Sequence, residues 1–153
     1  MLKKIFMILL FNTLLFSDSL VDELSEKKEF LIVKSTTSYK EAKKYAEKIS
    51  QKLEIELDLR GLTFHEGSFL TESKEICEEH WGEGGYPCYL ARGREDGTFV
   101  SVEHSNEYEE FTNGYYIVVV ATGQNLSSKL KKVKKVVKDA YIKTAMIYMG
   151  CLH

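Results

Sequence analysis

Apolar and polar positions change their period several times along the chain. Residues 30–35 (FLIVKS) form a short run rich in branched side chains, preceded by charge and followed by hydroxyls, which predicts a strand. Ala42, Ala46, Ile49 and Leu53 then recur at helical spacing, with lysines and glutamates filling the other face. Ser38 and Glu41 stand as the cap and third residue of a capping box. The spacing therefore predicts a helix over 38–53, with a narrow stripe of small residues that lets it lie close on a sheet. Residues 55–59 (IELDL) alternate as a half-buried strand does, and Arg60-Gly61 ends the run. The same order then returns. Residues 115–121 (YYIVVVA) are the most strand-like in the chain, Asn125 is a fair helix cap, and Leu126, Leu130, Val133 and Val137 give a helical stripe. Residues 140–148 come back as a strand. Strand, helix, strand twice over predicts two βαβ halves sharing one sheet, with both helices on one face.

Between the halves lies an insert at about 63–113. Within it, residues 89–92 and 98–103 are strand-like, and Asp96-Gly97 is a hairpin turn signal between them. An added β-hairpin is expected there. Alternation also assigns faces. With Leu31 and Val33 toward the helices, Phe30, Ile32 and Lys34 point outward; in the second half Ile117 and Val119 are expected inward and Tyr116, Val118 and Val120 outward. An outward face that apolar is not left bare: either a ligand lies on it or the insert covers it.

The N-terminus reads as an export signal. Lys3 and Lys4 are basic, Ile5 to Phe16 is apolar apart from Asn12 and Thr13, and Ser17 is a small residue at the expected cut. The apolar run falls short of the roughly 20 residues a membrane span needs. Removing residues 1–17 takes away two lysines and no acid, leaving 19 basic against 23 acidic residues. That balance argues against a nucleic-acid binder. Residues 18–29 are expected to be a short polar lead-in, and 30–153 one domain in the periplasm with no membrane span.

Taken together, FLIVKSTTSYKEAKKYAEKI and YYIVVVATGQNLSSKLKKVKKVV resemble the two repeats of the SPOR domains, small bacterial envelope modules that bind peptidoglycan. The resemblance covers 30–62 and 114–150. It implies an α+β fold, SPOR or ferredoxin-like: a four-stranded antiparallel sheet backed by two helices, here with an inserted β-hairpin. It also implies that the open sheet face holds glycan strands stripped of their stem peptides. Carried onto this chain, the glycan-binding positions are Ile32, Lys34, Ser35, Tyr116 and Val118. Ile32 and Ser35-Thr36-Thr37 stand where the family usually has a Gln and a Gly-x-Phe turn. The resemblance implies a non-enzymatic binding module; an envelope protein is the alternative partner if the insert covers the face.

The insert also carries CEEHWGEGGYPC, residues 77–88, with the chain's single Trp and Pro. Cys77, His80, Cys88, Cys151 and His153 match no common zinc spacing, and export makes thiols prone to oxidation. Five glutamates around them, from Glu72 to Glu83, oppose a reactive thiolate. No metal, cofactor or catalytic residue is therefore assigned. A disulfide is the favoured reading. Three pairings exist: Cys77–Cys88 closes a Gly-rich loop and is carried forward, whereas Cys88–Cys151 ties the insert to the last strand. Trp81 serves either as a plug over the core or as a stacking residue for a ligand. Lys129, Lys131, Lys132, Lys134, Lys135 and Lys138 make a basic strip that reads as a solvated helix face or an attraction for an anionic surface.

Overall fold

The computed structural model describes residues 24–150, so the export segment, the first half of the lead-in and Cys151 lie outside the described residues. The main sheet holds β1 (Ser25–Thr36), β4 (Ser101–His104), β5 (Tyr116–Gly123) and β6 (Tyr141–Tyr148). Their order is β4-β5-β1-β6, and every neighbouring pair is antiparallel. A separate hairpin pairs β2 (Thr63–His65) with β3 (Phe69–Thr71). The helices are α1 (Tyr39–Leu53), α2 (Lys74–Trp81) and α3 (Ser127–Val133). The expected α+β class, with an antiparallel four-stranded sheet and a hairpin, is what the chain adopts.

Local chemistry explains the helices. Ser38 Oγ accepts from Glu41 N at 3.3 Å, while the Glu41 carboxylate turns back to the Thr36 hydroxyl at 2.7 Å. Ala42, Ala46 and Ile49 are the buried stripe of α1, as their spacing predicts. α3 starts differently. Asn125 is not its cap but takes a left-handed φ of 58°, and the Glu29 carboxylate accepts from Leu126 N at 2.6 Å.

Two apolar layers sandwich the sheet. Leu31, Val33, Val102, Tyr116, Val118 and Val120 pack under the helices. Phe30, Ile32, Ile117, Val119, Ala145 and Ile147 form a second cluster on the opposite face, closed by Tyr108 and Phe111 of the insert. Phe30 meets both rings edge-on, at 4.9 and 5.6 Å. Gly93 lies against this layer with φ 114°, where a Cβ would stand 3.0 Å from Ile147 and 3.1 Å from Phe30.

Several expectations are corrected. The sheet's fourth strand is Ser101–His104, beside β5, not residues 55–59, which contribute one parallel bridge, Leu57 to Val100. The hairpin forms at Thr63–Thr71 rather than from 89–92 and 98–103. Arg92 explains the difference: its guanidinium turns inward to Phe99 O, Ser101 Oγ and Val119 O at 3.0, 2.7 and 3.1 Å, so this segment packs across the sheet instead of pairing with itself. β1 begins at Ser25, so the end of the polar lead-in is strand, paired with β6 from Tyr148 to Thr144. Lys28 is buried within it and ion-pairs with Glu26 and Asp96, both at 3.0 Å. Finally, the faces of β5 are reversed: Tyr116, Val118 and Val120 lie toward the helices, and Ile117 and Val119 away.

Candidate functional site

The second face is covered unevenly. Tyr108 and Phe111 close its centre, but near the end of β1 a cleft of about 200 Å³ remains open. Ile32 and Ile117 form its floor, Phe111, Thr112 and Tyr115 one wall, and Tyr141 and Lys143 of β6 the other. Tyr115 and Tyr141 are the partly exposed aromatics at its rim, 38% and 40% accessible. The Ser35 and Tyr141 hydroxyls share a hydrogen bond at 3.1 Å. Ser105 Oγ accepts from Tyr115 N at 2.9 Å, which fixes the backbone that carries that ring. Lys143 Nζ sits 4.9 Å from the centre of the Phe111 ring.

Of the five positions assigned from sequence, this cleft unites two, Ile32 and Ser35. The other three lie on the helix side. Lys34 ion-pairs with Glu41 at 3.1 Å and approaches the Tyr45 ring of α1. Tyr116 and Val118 are buried, and Tyr116 packs against Tyr39 of α1 at 5.5 Å. For Lys34 the cause is irregular pairing. Ile32 is opposite Val119, yet Lys34 is opposite Val118, so the alternation along β1 slips by one residue there. Tyr115, Tyr141 and Lys143 were missed. Tyr141 and Lys143 fall two apart on one strand, and that period was the available signal for a shared face.

Beside the cleft's layer lies a buried charged network. Glu103 is fully buried and accepts from Arg60 Nη1 at 2.8 Å, Ser101 Oγ at 2.5 Å and the Tyr89 hydroxyl. Burial is the largest influence on Arg60 and opposes its charge, but the Glu103 carboxylate, together with Tyr89, Tyr108 and Glu72, outweighs it and raises the Arg60 pKa. Burial pushes the Tyr89 and Tyr108 hydroxyls well above their ordinary range, so both stay protonated as donors. Arg92 is pushed down by burial to about 10, which leaves it charged at neutral pH. Among the described residues, no buried side-chain nitrogen or oxygen lacks a partner. Glu103 is thereby committed to the fold.

Cys77 and Cys88 are joined, with Cα atoms 5.6 Å apart. A bridged pair offers no thiolate to a metal or a carbonyl carbon. The bridge and the loop behind it hold α2 in place: a Cβ at Gly85 would stand 2.8 Å from Trp81 Cβ and 2.9 Å from Cys77 O. Trp81 is 40% exposed, edge-on to His80, and lies outside the cleft lining. Among the described residues, no group of three or more His, Cys, Asp or Glu is placed to hold a metal ion, and no helix is long and apolar enough to cross a membrane. No protein-family model, curated protein or solved structure matches the chain.

Proposed function

We propose that this chain is a non-enzymatic binding module of the bacterial periplasm, SPOR-like, that holds glycan strands of peptidoglycan in the cleft on the sheet face away from the helices. The observation that carries this reading is the pairing of Tyr115 and Tyr141 at the rim with Lys143 and the Ser35 hydroxyl between them. Aromatic rings receive the apolar face of a sugar, hydroxyls exchange hydrogen bonds with it, and an ammonium meets carboxylates on the glycan. The resemblance of the two repeats to SPOR domains and the ferredoxin-like strand order support it. The cleft is open and shallow, as a site for an extended strand must be.

The test is retention on isolated sacculi, before and after an amidase has stripped the stem peptides. Stronger retention on stripped sacculi is expected, and Tyr141→Ala with Lys143→Glu should reduce it about tenfold, the loss of roughly 1.4 kcal/mol. Absence of retention on stripped sacculi defeats the reading. A second reading, an envelope protein-interaction domain, is favoured by Tyr108 and Phe111, which already cover the centre of the face. It predicts capture of a protein partner that survives removal of all peptidoglycan.

A further inference from the structure

The helix side holds a second concavity, separated from the cleft by the whole sheet. α1 packs over β1, β4 and β5, while α3 packs over β6. Between the C-terminal end of α1 and the last turn of α3 they leave a groove of about 440 Å³. This lies within the roughly 300–1,000 Å³ typical of small-molecule sites. Its floor is Leu31, Val120 and Ala121, all buried side chains of the sheet. Leu53, Val133 and Val136 wall it, and Val136 is 48% exposed at the mouth. An aliphatic side chain held half in water beside an apolar trough is the mark of a surface that takes an apolar guest.

Charge selects the guest. Lys52, Lys129 and Lys132 line the rim, against one carboxylate, Glu54. The Thr98 hydroxyl accepts from Lys129 Nζ at 2.5 Å and holds that ammonium at the edge. Lys131, Lys134 and Lys135 extend the same sign along and just beyond α3, which raises the local concentration of anions.

We propose that this groove binds a single-chain anionic amphiphile, a long-chain carboxylate whose alkyl chain lies on Leu31 and Val120 and whose head meets the rim lysines. A sugar or a polar peptide would leave the floor without apolar contact. A bilayer surface cannot reach a floor recessed between two helices, whereas one alkyl chain can. The site is on the opposite face from the glycan cleft, and neither depends on the other.

The full chain is titrated calorimetrically with dodecanoate below its micelle concentration, with dodecanol and phosphatidylglycerol vesicles as parallel arms. One-to-one binding of dodecanoate is expected, about tenfold weaker for dodecanol, which lacks the charge. Lys132→Glu should weaken dodecanoate by a similar factor. Val136→Asp, an exposed position that leaves the core intact, should weaken it further, by placing a carboxylate at the mouth. Tyr141→Ala should leave it unchanged. The proposal is overturned if dodecanoate gives no heat, if both groove variants bind like the parent, if only vesicles bind, or if Tyr141→Ala alone removes binding.

Discussion

Glu103 sits fully buried on β4, and its charge is tolerable because Arg60, Ser101 and Tyr89 all turn to it. Arg60→Met removes the cation in hydrogen-bond contact with the carboxylate. The expected cost is about 3–5 kcal/mol in urea unfolding, the usual penalty for one orphaned member of a buried pair. Adding Glu103→Gln to Arg60→Met removes the stranded charge, so the double variant should recover part of that loss; a double variant worse than the sum of the singles refutes the coupling. His104 behaves in the opposite sense. Its ring stacks on Phe69 at 3.9 Å and accepts from Asn106 N at 3.4 Å, and burial pushes its pKa down to about 4. Below the ordinary value near 6.5 the unfolded chain takes up a proton that the folded ring refuses, so stability falls as pH drops from 6.5 toward 4. The loss amounts to up to about 3 kcal/mol. The stability difference between the parent and His104→Phe should shrink by that amount between pH 7 and pH 4. Little in the sequence distinguishes these two residues from solvated ones. Ser101 and Glu103 look like the polar face of an edge strand, because the side chains that bury them, Arg60, Tyr89 and Arg92 among them, come from separate segments. The faces of 116–120 are equally silent: every residue is apolar and every one is buried, so alternation has no phase to read.

At the scale of elements, what was legible followed local chemistry. The α1 stripe, the Ser38 cap and the β5 and β6 runs are written in consecutive residues, and they form as expected. Residues 55–59 alternate just as well, yet they make only one bridge, because β5 offers one free edge and Ser101–His104 occupies it. Strand order is a competition between segments, and period alone does not rank them. The α2 region is a different case, since its anchor is covalent. The Cys77–Cys88 bridge spans a sequence separation of 11, for which loop-closure entropy gives about 3 kcal/mol. Cys77→Ser with Cys88→Ser should therefore lower global stability by up to that amount. Far-UV circular dichroism of the sheet should persist, since neither cysteine belongs to it. Trp81, the chain's single tryptophan, ends α2 and reports the same change as a fluorescence shift toward that of a solvated indole. An unchanged emission after the bridge is removed would mean that backbone contacts, such as Glu72 N to Cys88 O at 2.9 Å, hold the loop unaided.

For the whole molecule, the insert is a third layer rather than an appendage. A two-layer sheet of this kind would leave Phe30, Ile32, Ile117 and Val119 in water; here Tyr108 and Phe111 lie across them. The same segment also guards the open edge of β6, where Glu110 accepts from Met146 N at 2.8 Å, and an exposed strand edge invites pairing with another chain. Cover is thus uneven along one face: the centre is sealed, and the end by Ser35 and Tyr141 stays open. Phe111 is where the sealed and open parts meet, since its ring packs on Phe30 and Tyr108 and also walls the cleft. Truncation by Phe111→Ala should cost about 3–5 kcal/mol, the usual range for a buried ring, measured by chemical denaturation. It should also widen the cleft and increase binding of a hydrophobic dye, while helix content stays constant because α1 and α3 pack on the other side of the sheet. If the dye signal does not rise, the face beneath Phe111 closes without it, and the insert is then a passive cover rather than the element that sets how much of the sheet remains open.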